Sequence, residues 1–284
     1  MNWREYADDI ELFSSFDRNF ESMSEIDKKR CVKVLIYYFS KDNSWKVSRL
    51  PDTYSQRREI LRGLLNTYPP RKIDQNILNL VHKLLISELK EKNLVNVNNL
   101  SEIEKGISIW KGDITTLIAD AIVNAANCNL LGCLKPLHEC IDNSIHSNAG
   151  PMLREDCNKI IEKQGHIEYT GNAKITRGYC LPSRYVIHTV GPMIRSNSPT
   201  KEQEKQLISS YKSCLNLANE IDNINNIVFP CISTGVFGYQ KEKAAIIAVD
   251  TVKDWIKENS NKVSKVVFNV FSNEDEEIYR EILE

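Results

Sequence analysis

Near residue 105 the chain changes its hydrophobic period, and that change limits its possible folds more than any other feature of the sequence. Before it, apolar residues recur at helical spacing: Val32, Leu35, Ile36 and Phe39, then Ile60, Leu61, Leu64 and Leu65, then Ile77, Leu78, Leu80, Val81, Leu84 and Leu85. Pro69 and Pro70 interrupt the pattern, because proline removes a helical donor and clashes with the preceding turn. Several short helices are therefore predicted. After residue 105, short β-branched runs alternate with helical stretches. Strands are predicted over 106–111, 121–124, 185–190, 226–232 and 265–270, with helices over 143–164, 202–220 and 241–258. Such alternation implies an α/β unit whose mainly parallel or mixed sheet carries helices on both faces. The Lys-, Asn- and Glu-rich stretch 90–104 reads as the junction, with room for a short strand at Val95 and Val97. Residues 1–95 are assigned to a small all-α extension and 96–284 to the sheet domain.

A formal charge of −1, from 37 basic and 38 acidic residues, supplies no global field for nucleic acid or an anionic membrane, so neither partner is expected. No apolar run approaches the roughly 18 residues of a membrane helix, and the first residues lack the apolar stretch of a signal peptide. A cytoplasmic protein is expected. Three of the eight cysteines, Cys133, Cys140 and Cys157, lie close to His138 and His146, a pattern pointing to metal or reduced thiols rather than disulfides.

In an open α/β sheet, ligands bind at the carboxyl ends of the strands, so the residues just past each strand matter most. The first predicted strand exits into Lys111-Gly112-Asp113-Ile114-Thr115 and the second into Asn124-Ala125-Ala126-Asn127. The fourth exits into Cys231-Ile232-Ser233-Thr234-Gly235-Val236-Phe237-Gly238-Tyr239, a loop with two glycines leading to a helix. Such a loop lets backbone amides approach a phosphate, and the helix adds its positive end; taken alone, it is equally a tight turn.

Together the three strings resemble the macrodomain family of ADP-ribose-binding modules, from about residue 106 to the end of the chain. The resemblance implies a macrodomain-type mixed sheet. It also implies that Asp113 accepts from the adenine amino group beside the Ile114 backbone. Ser233, Thr234, Gly235, Val236, Phe237, Gly238 and Tyr239 would wrap the diphosphate, with Phe237 at the distal ribose, and Asn127 would reach the distal ribose hydroxyls. Between residues 131 and 142 the sequence departs from the ordinary family. A glycine run is expected there, and the chain instead has Leu131-Gly132-Cys133-Leu134-Lys135-Pro136-Leu137-His138-Glu139-Cys140-Ile141-Asp142. The Cys-x4-His-x-Cys spacing resembles the zinc-containing macrodomains, which often carry a helical N-terminal extension and are associated with hydrolysis of protein-linked mono-ADP-ribose.

Residue chemistry bears on the same segment. On a continuous helix His138 and Cys140 would point roughly 200° apart, whereas an extended or turning backbone, favoured by Pro136, puts both on one side. One imidazole and two thiolates suit tetrahedral zinc, and three protein ligands leave a position open, as in catalytic sites. Asp142 stands where the family has its functional aspartate, at the mouth of a helix; it could orient or deprotonate a water, or simply cap the helix.

Other readings stay open. The cysteines and histidine could be packing, or a structural zinc could be completed by Cys157, Cys128 or His146. Cys157 falls on a core-facing stripe, His146 is expected to hydrogen-bond within the fold, His188 to support the loop after its strand, and His166 to lie at the surface. The resulting expectation is a zinc-dependent protein ADP-ribosyl hydrolase with Asn127 and Asp142 as catalytic residues. Cys133, His138 and Cys140 are its Zn2+ ligands, and ADP-ribose and mono-ADP-ribosylated protein its partners. The alternatives are a reader that binds ADP-ribose without cleaving it, and a hydrolase acting on a small ADP-ribose ester.

Overall fold

The period change separates two helix-lined cores in the structure, a computed structural model that describes residues 1–284 apart from 42, 196–197 and 260–261. Three helices, α1 (Glu25–Ser40), α2 (Tyr54–Thr67) and α3 (Gln75–Lys90), bury Val32, Leu35, Phe39, Leu61, Leu64 and Leu84 against one another. Ser24, Thr53 and Asp74 cap their first turns, each accepting from a backbone amide two or three residues on. The junction contains the short strand β1 (Val95–Asn96), paired in parallel with β3 (Leu117–Ile118).

The main sheet comprises β2 (Ile107–Lys111), β4 (Ala121–Ala125), β5 (Ala173–Arg177), β6 (Tyr185–Thr189), β7 (Asn226–Phe229) and β8 (Lys265–Val270) in the order β2-β8-β7-β4-β6-β5. All neighbouring pairs are parallel except β5 with β6. One face, including Ile109, Val123, Ile187, Ile227 and Phe268, packs on α6 (Lys201–Glu220), α7 (Lys241–Glu258) and α8 (Asn273–Leu283). The other, with Ile122, Val186, Val228 and Val267, packs on α4 (Ile141–Ala149) and the start of α5 (Pro151–Gln164). Every residue of β6, β7 and β8 is buried, as a parallel sheet covered on both faces requires. No helix among the described residues is long and apolar enough to cross a membrane.

Three details differ from expectation. β7 stops at Phe229 because Pro230 follows it and cannot donate to a ladder. The predicted helix over 143–164 is two helices starting at Ile141, parted at Gly150, whose φ of 91° suits glycine and where a side chain would press on Leu85 of α3. The edge strand β5 was not anticipated, since Lys174 and Arg177 break its apolar pattern. The first thirteen residues pack on the sheet rather than on α1–α3. Tyr6, Ile10 and Leu12 enter the α6–α8 side of the core, and the Tyr6 hydroxyl accepts from Ile175 N of β5 at 2.8 Å. That contact satisfies an amide of the edge strand that would otherwise invite another chain.

His82 of α3 is buried with the Phe16 ring edge-on at 5.0 Å, and burial pushes its pKa down to about 4. Because unfolding restores a pKa of roughly 6.5, the unfolded chain binds the extra proton, and stability falls as pH drops from 6.5 towards 4. At pH 5 the loss from this residue should be about 2 kcal/mol relative to pH 7. Chemical denaturation of wild type and His82→Gln at both pH values checks this, with a shallower pH dependence expected in the variant.

Candidate active site

The segment between β4 and α4 has no strand or helix of its own, and three left-handed residues fold it back on itself: Leu130 (φ 57°), Gly132 (φ 76°) and Leu137 (φ 58°). At Gly132 a side chain would collide with the His146 ring, so only glycine allows the loop to lie this close to α4. The turns bring Cys133 Sγ to 3.4 Å from His138 Nδ1, and with Cys140 Sγ the three donor atoms lie within 4.8 Å of one another. Cys140 is extended (φ −132°, ψ 160°), the non-helical backbone needed to turn His138 and Cys140 to one side. Burial, together with the neighbouring Cys133 sulfur, pushes the Cys140 thiol up to about 12, although the Asn143 amide opposes the shift. Two sulfurs and an imidazole gathered in this way fit a zinc ion in residue type and spacing. Cys157 and His146 belong to a second, buried group with His188 instead.

Asp142 does not cap α4. Cys140 takes that place, its Sγ accepting from Asn143 N at 3.5 Å, while the Asp142 carboxylate turns inward and is only 5 % exposed. Asn124 Nδ2 donates to Oδ1 at 2.8 Å and Asn127 Nδ2 to Oδ2 at 3.2 Å. Burial raises the Asp142 pKa to about 6, and these amides and the Arg154 charge pull against it. The structure thus brings Asn127 and Asp142 together, and Asn127 also donates to Gly132 O at 3.0 Å, tying the carboxylate to the loop that carries Cys133.

Asp113 heads a short 3-10 turn after β2, where its Oδ1 accepts from Thr115 N at 3.0 Å and from Thr115 Oγ1 at 2.7 Å. Its Oδ2 lies 3.9 Å from Lys92 Nζ, and Ile114 is buried behind it. The loop after β7 closes as two turns, Gly238 N to Gly235 O and Tyr239 N to Ser233 O, both 3.0 Å. Ser233 (φ 68°) and Gly238 (φ 69°) are left-handed, and Ile194 N donates to Phe237 O at 2.7 Å, fastening the loop to the segment after β6. Gly191 packs closely there: a Cβ would press on Ser233 Oγ and the Ile232 side chain, which would have to move. Ser233 and Tyr239 are buried, whereas Gly235 and Val236 form the exposed crest.

The remaining histidines correct two expectations. Among the described residues neither ring nitrogen of His146 makes a hydrogen bond; its Nε2 lies 3.5 Å from Asp142 Oδ1, and burial holds its pKa well below the usual value. His188 joins strands rather than bracing a loop, with Nδ1 at 3.2 Å from Asn124 Nδ2 and Nε2 at 3.0 Å from Thr176 Oγ1. His166 is exposed, as expected, and stacks on Tyr169. Two residues of interest were missed in the sequence. Asn124 puts an amide into a buried strand, a sign of a polar partner inside the fold. Phe271 comes directly after β8 and is 82 % exposed, beside the Asp113 turn through the bond from Gly112 N to Val270 O at 3.0 Å; an aromatic at a strand exit was its signal.

Comparison with known proteins agrees with this architecture. The family model described as Macro domain matches residues 123–248. A Staphylococcus aureus protein named protein-ADP-ribose hydrolase is 46% identical over 233 residues, covering 82% of this chain and 86% of the relative. One of the same name from Treponema medium is 42% identical over 260 residues, covering 90% and 98%. Among solved structures, the Oceanobacillus iheyensis macrodomain with ADP is 38% identical, with a TM-score of 0.57 over 64% of this chain and 93% of that one. The Trypanosoma brucei macrodomain in complex with ADP-ribose is 26% identical, with a TM-score of 0.61 over 83% and 97%. With its strand order, its polar strand exits and relatives this close over most of its length, the chain belongs to the macrodomain family.

Proposed function

We propose that this macrodomain hydrolyses the bond joining mono-ADP-ribose to a modified protein side chain, with zinc held by Cys133, His138 and Cys140. One observation carries the reading: the buried Asp142 carboxylate and the three donors share one short segment, and Asn127 touches both Asp142 and that segment. The names of the bacterial relatives and the ADP-ribose bound by the Trypanosoma brucei macrodomain support it.

Asp113 accepts from the adenine amine through its Oδ2, with the Ile114 backbone beside it and the exposed Phe271 ring as a stacking surface for the purine. The loop from Ser233 to Tyr239 receives the diphosphate, its left-handed turns presenting backbone donors, and Phe237 packs on the distal ribose. Asn127 fixes the distal ribose and holds Asp142. A carboxylate whose pKa burial has raised to about 6 is still mainly ionised at neutral pH, yet basic enough to take a proton from water. The water oxygen bonds to the anomeric carbon as the bond to the side-chain atom breaks, and ADP-ribose and the unmodified side chain leave. A bound zinc would supply Lewis-acid polarisation at an oxygen of the distal ribose or of water.

Asp142→Ala should slow release of ADP-ribose from a mono-ADP-ribosylated protein by about 10²- to 10⁴-fold. Removal of zinc by a chelator should do likewise, with recovery on adding the metal back. Unchanged turnover in both experiments would sink the reading, and tight ADP-ribose binding without turnover on any linkage would make the protein a reader. Faster turnover on a small ADP-ribose ester than on modified protein would move the substrate to that class.

Phe271→Ala should weaken ADP-ribose binding, measured by calorimetry, by about 1 kcal/mol or more, the usual worth of a base stacked on an aromatic ring. Equal affinity for wild type and variant would remove Phe271 from the site.

A further inference from the structure

The loop over 131–140 holds the three donor residues and has one backbone turn of its own, His138 N to Lys135 O at 3.3 Å, but no ladder, so the rest of its shape is imposed by its neighbours. Several of those neighbours come from the N-terminal helices. Asn66 of α2 is 1 % exposed; its Nδ2 donates to Ser147 Oγ at 2.9 Å, and its Oδ1 accepts from Leu137 N at 3.2 Å. Leu137 precedes His138 and is the left-handed residue of this turn, a conformation a leucine keeps only when its surroundings enforce it. Arg62, one turn earlier on α2, donates from Nη2 to Asn143 Oδ1 at 2.9 Å. Asn143 in turn donates through Nδ2 to Lys135 O at 3.2 Å and Cys133 O at 3.5 Å, and through its backbone N to Cys140 Sγ.

We infer that Asn66 and Arg62 are positioning residues of the metal centre: the helical unit sets the backbone on which Cys133, His138 and Cys140 converge. The inference rests on the zinc reading above. It differs from simple docking of two units, because beside the Ser147 hydroxyl of α4 the groups gripped from α2 are the Leu137 amide of the donor loop and the asparagine that binds two further carbonyls of that loop. Docking alone would place these bonds anywhere along the contact between α2 and α4.

The test uses the full chain as wild type, Asn66→Ala, Asn66→Asp and Arg62→Met. Zinc affinity is measured by competition with a chromogenic chelator. The cobalt-substituted proteins are compared by their thiolate-to-cobalt and ligand-field absorption, and unfolding midpoints are recorded alongside. Asn66→Ala should lose roughly 10- to 100-fold in zinc affinity and show weakened, shifted cobalt bands, the usual scale for residues that orient metal ligands. Asn66→Asp keeps an oxygen for the Leu137 amide and should recover most of that loss. Arg62→Met, only partly buried, reports on the second grip if Asn66→Ala does not fold, and should lose affinity in the same direction. Wild-type affinity and spectra in the folded variants would overturn the inference and leave α2 a docking element. A wild type that takes up cobalt without thiolate bands would instead overturn the zinc reading itself, and this inference with it.

Discussion

A carboxylate taken out of water governs the carboxyl end of this sheet. Asp142 keeps little solvent, and an isolated buried charge would be too costly to retain, so its position is fixed by its partners, Asn124 from β4 and Asn127 just beyond it. Asn124 faces His188 across the β4–β6 ladder, with which it is in register, and His188 reaches Thr176 of β5. The carboxylate therefore inherits its coordinates from strand register. A slip of one residue in β4 would send Asn124 to the opposite face and leave Asp142 without its principal donor.

The same chain of contacts runs through a second gathering of metal-type side chains, inside the core. His188, His146 and Cys157 bring their donor atoms together, but Asn124 donates to His188 Nδ1, so the proton sits on Nε2 and points to Thr176. Both His188 nitrogens are thereby engaged. Burial lowers the His188 pKa to about 3 and raises that of Cys157 well above its usual range, holding both neutral. The donors of the Cys133 segment are partly exposed, and Cys133 Sγ faces His138 Nδ1 in a loop whose shape is enforced from outside.

Much of this was legible in the sequence, because period and spacing are local properties. The strands over 107–111, 121–125, 185–189 and 265–270 follow from β-branched runs, and the convergence of Cys133, His138 and Cys140 from residue type and backbone direction around Pro136. The hidden features depend on partners far along the chain. β5 has charged residues that a strand tolerates here because Lys174 finds Glu168 at 2.6 Å and Arg177 reaches the Tyr179 hydroxyl at 3.1 Å. For Asp142 the sequence left both a functional carboxylate and a helix cap open; Cys140 caps instead, and the Asp142 carboxylate turns inward to Asn124, eighteen residues earlier. Nor could any local pattern show that residues 1–13 leave the helical unit to cover the edge of the sheet.

Arg154 stands where the two halves of the chain meet. Its guanidinium is buried and donates through Nε to Leu131 O and through Nη1 to Leu65 O and Tyr68 O, each at 2.7 Å. Burial lowers its pKa to about 10 while the Asp142 charge works to hold the proton. One cation is thus solvated jointly by the end of α2 and by the loop ahead of Cys133, within the field of a carboxylate in the sheet domain. Opening the helical unit away from the sheet domain would strip that charge of part of its coordination, so the buried guanidinium sets a cost on separating the two halves.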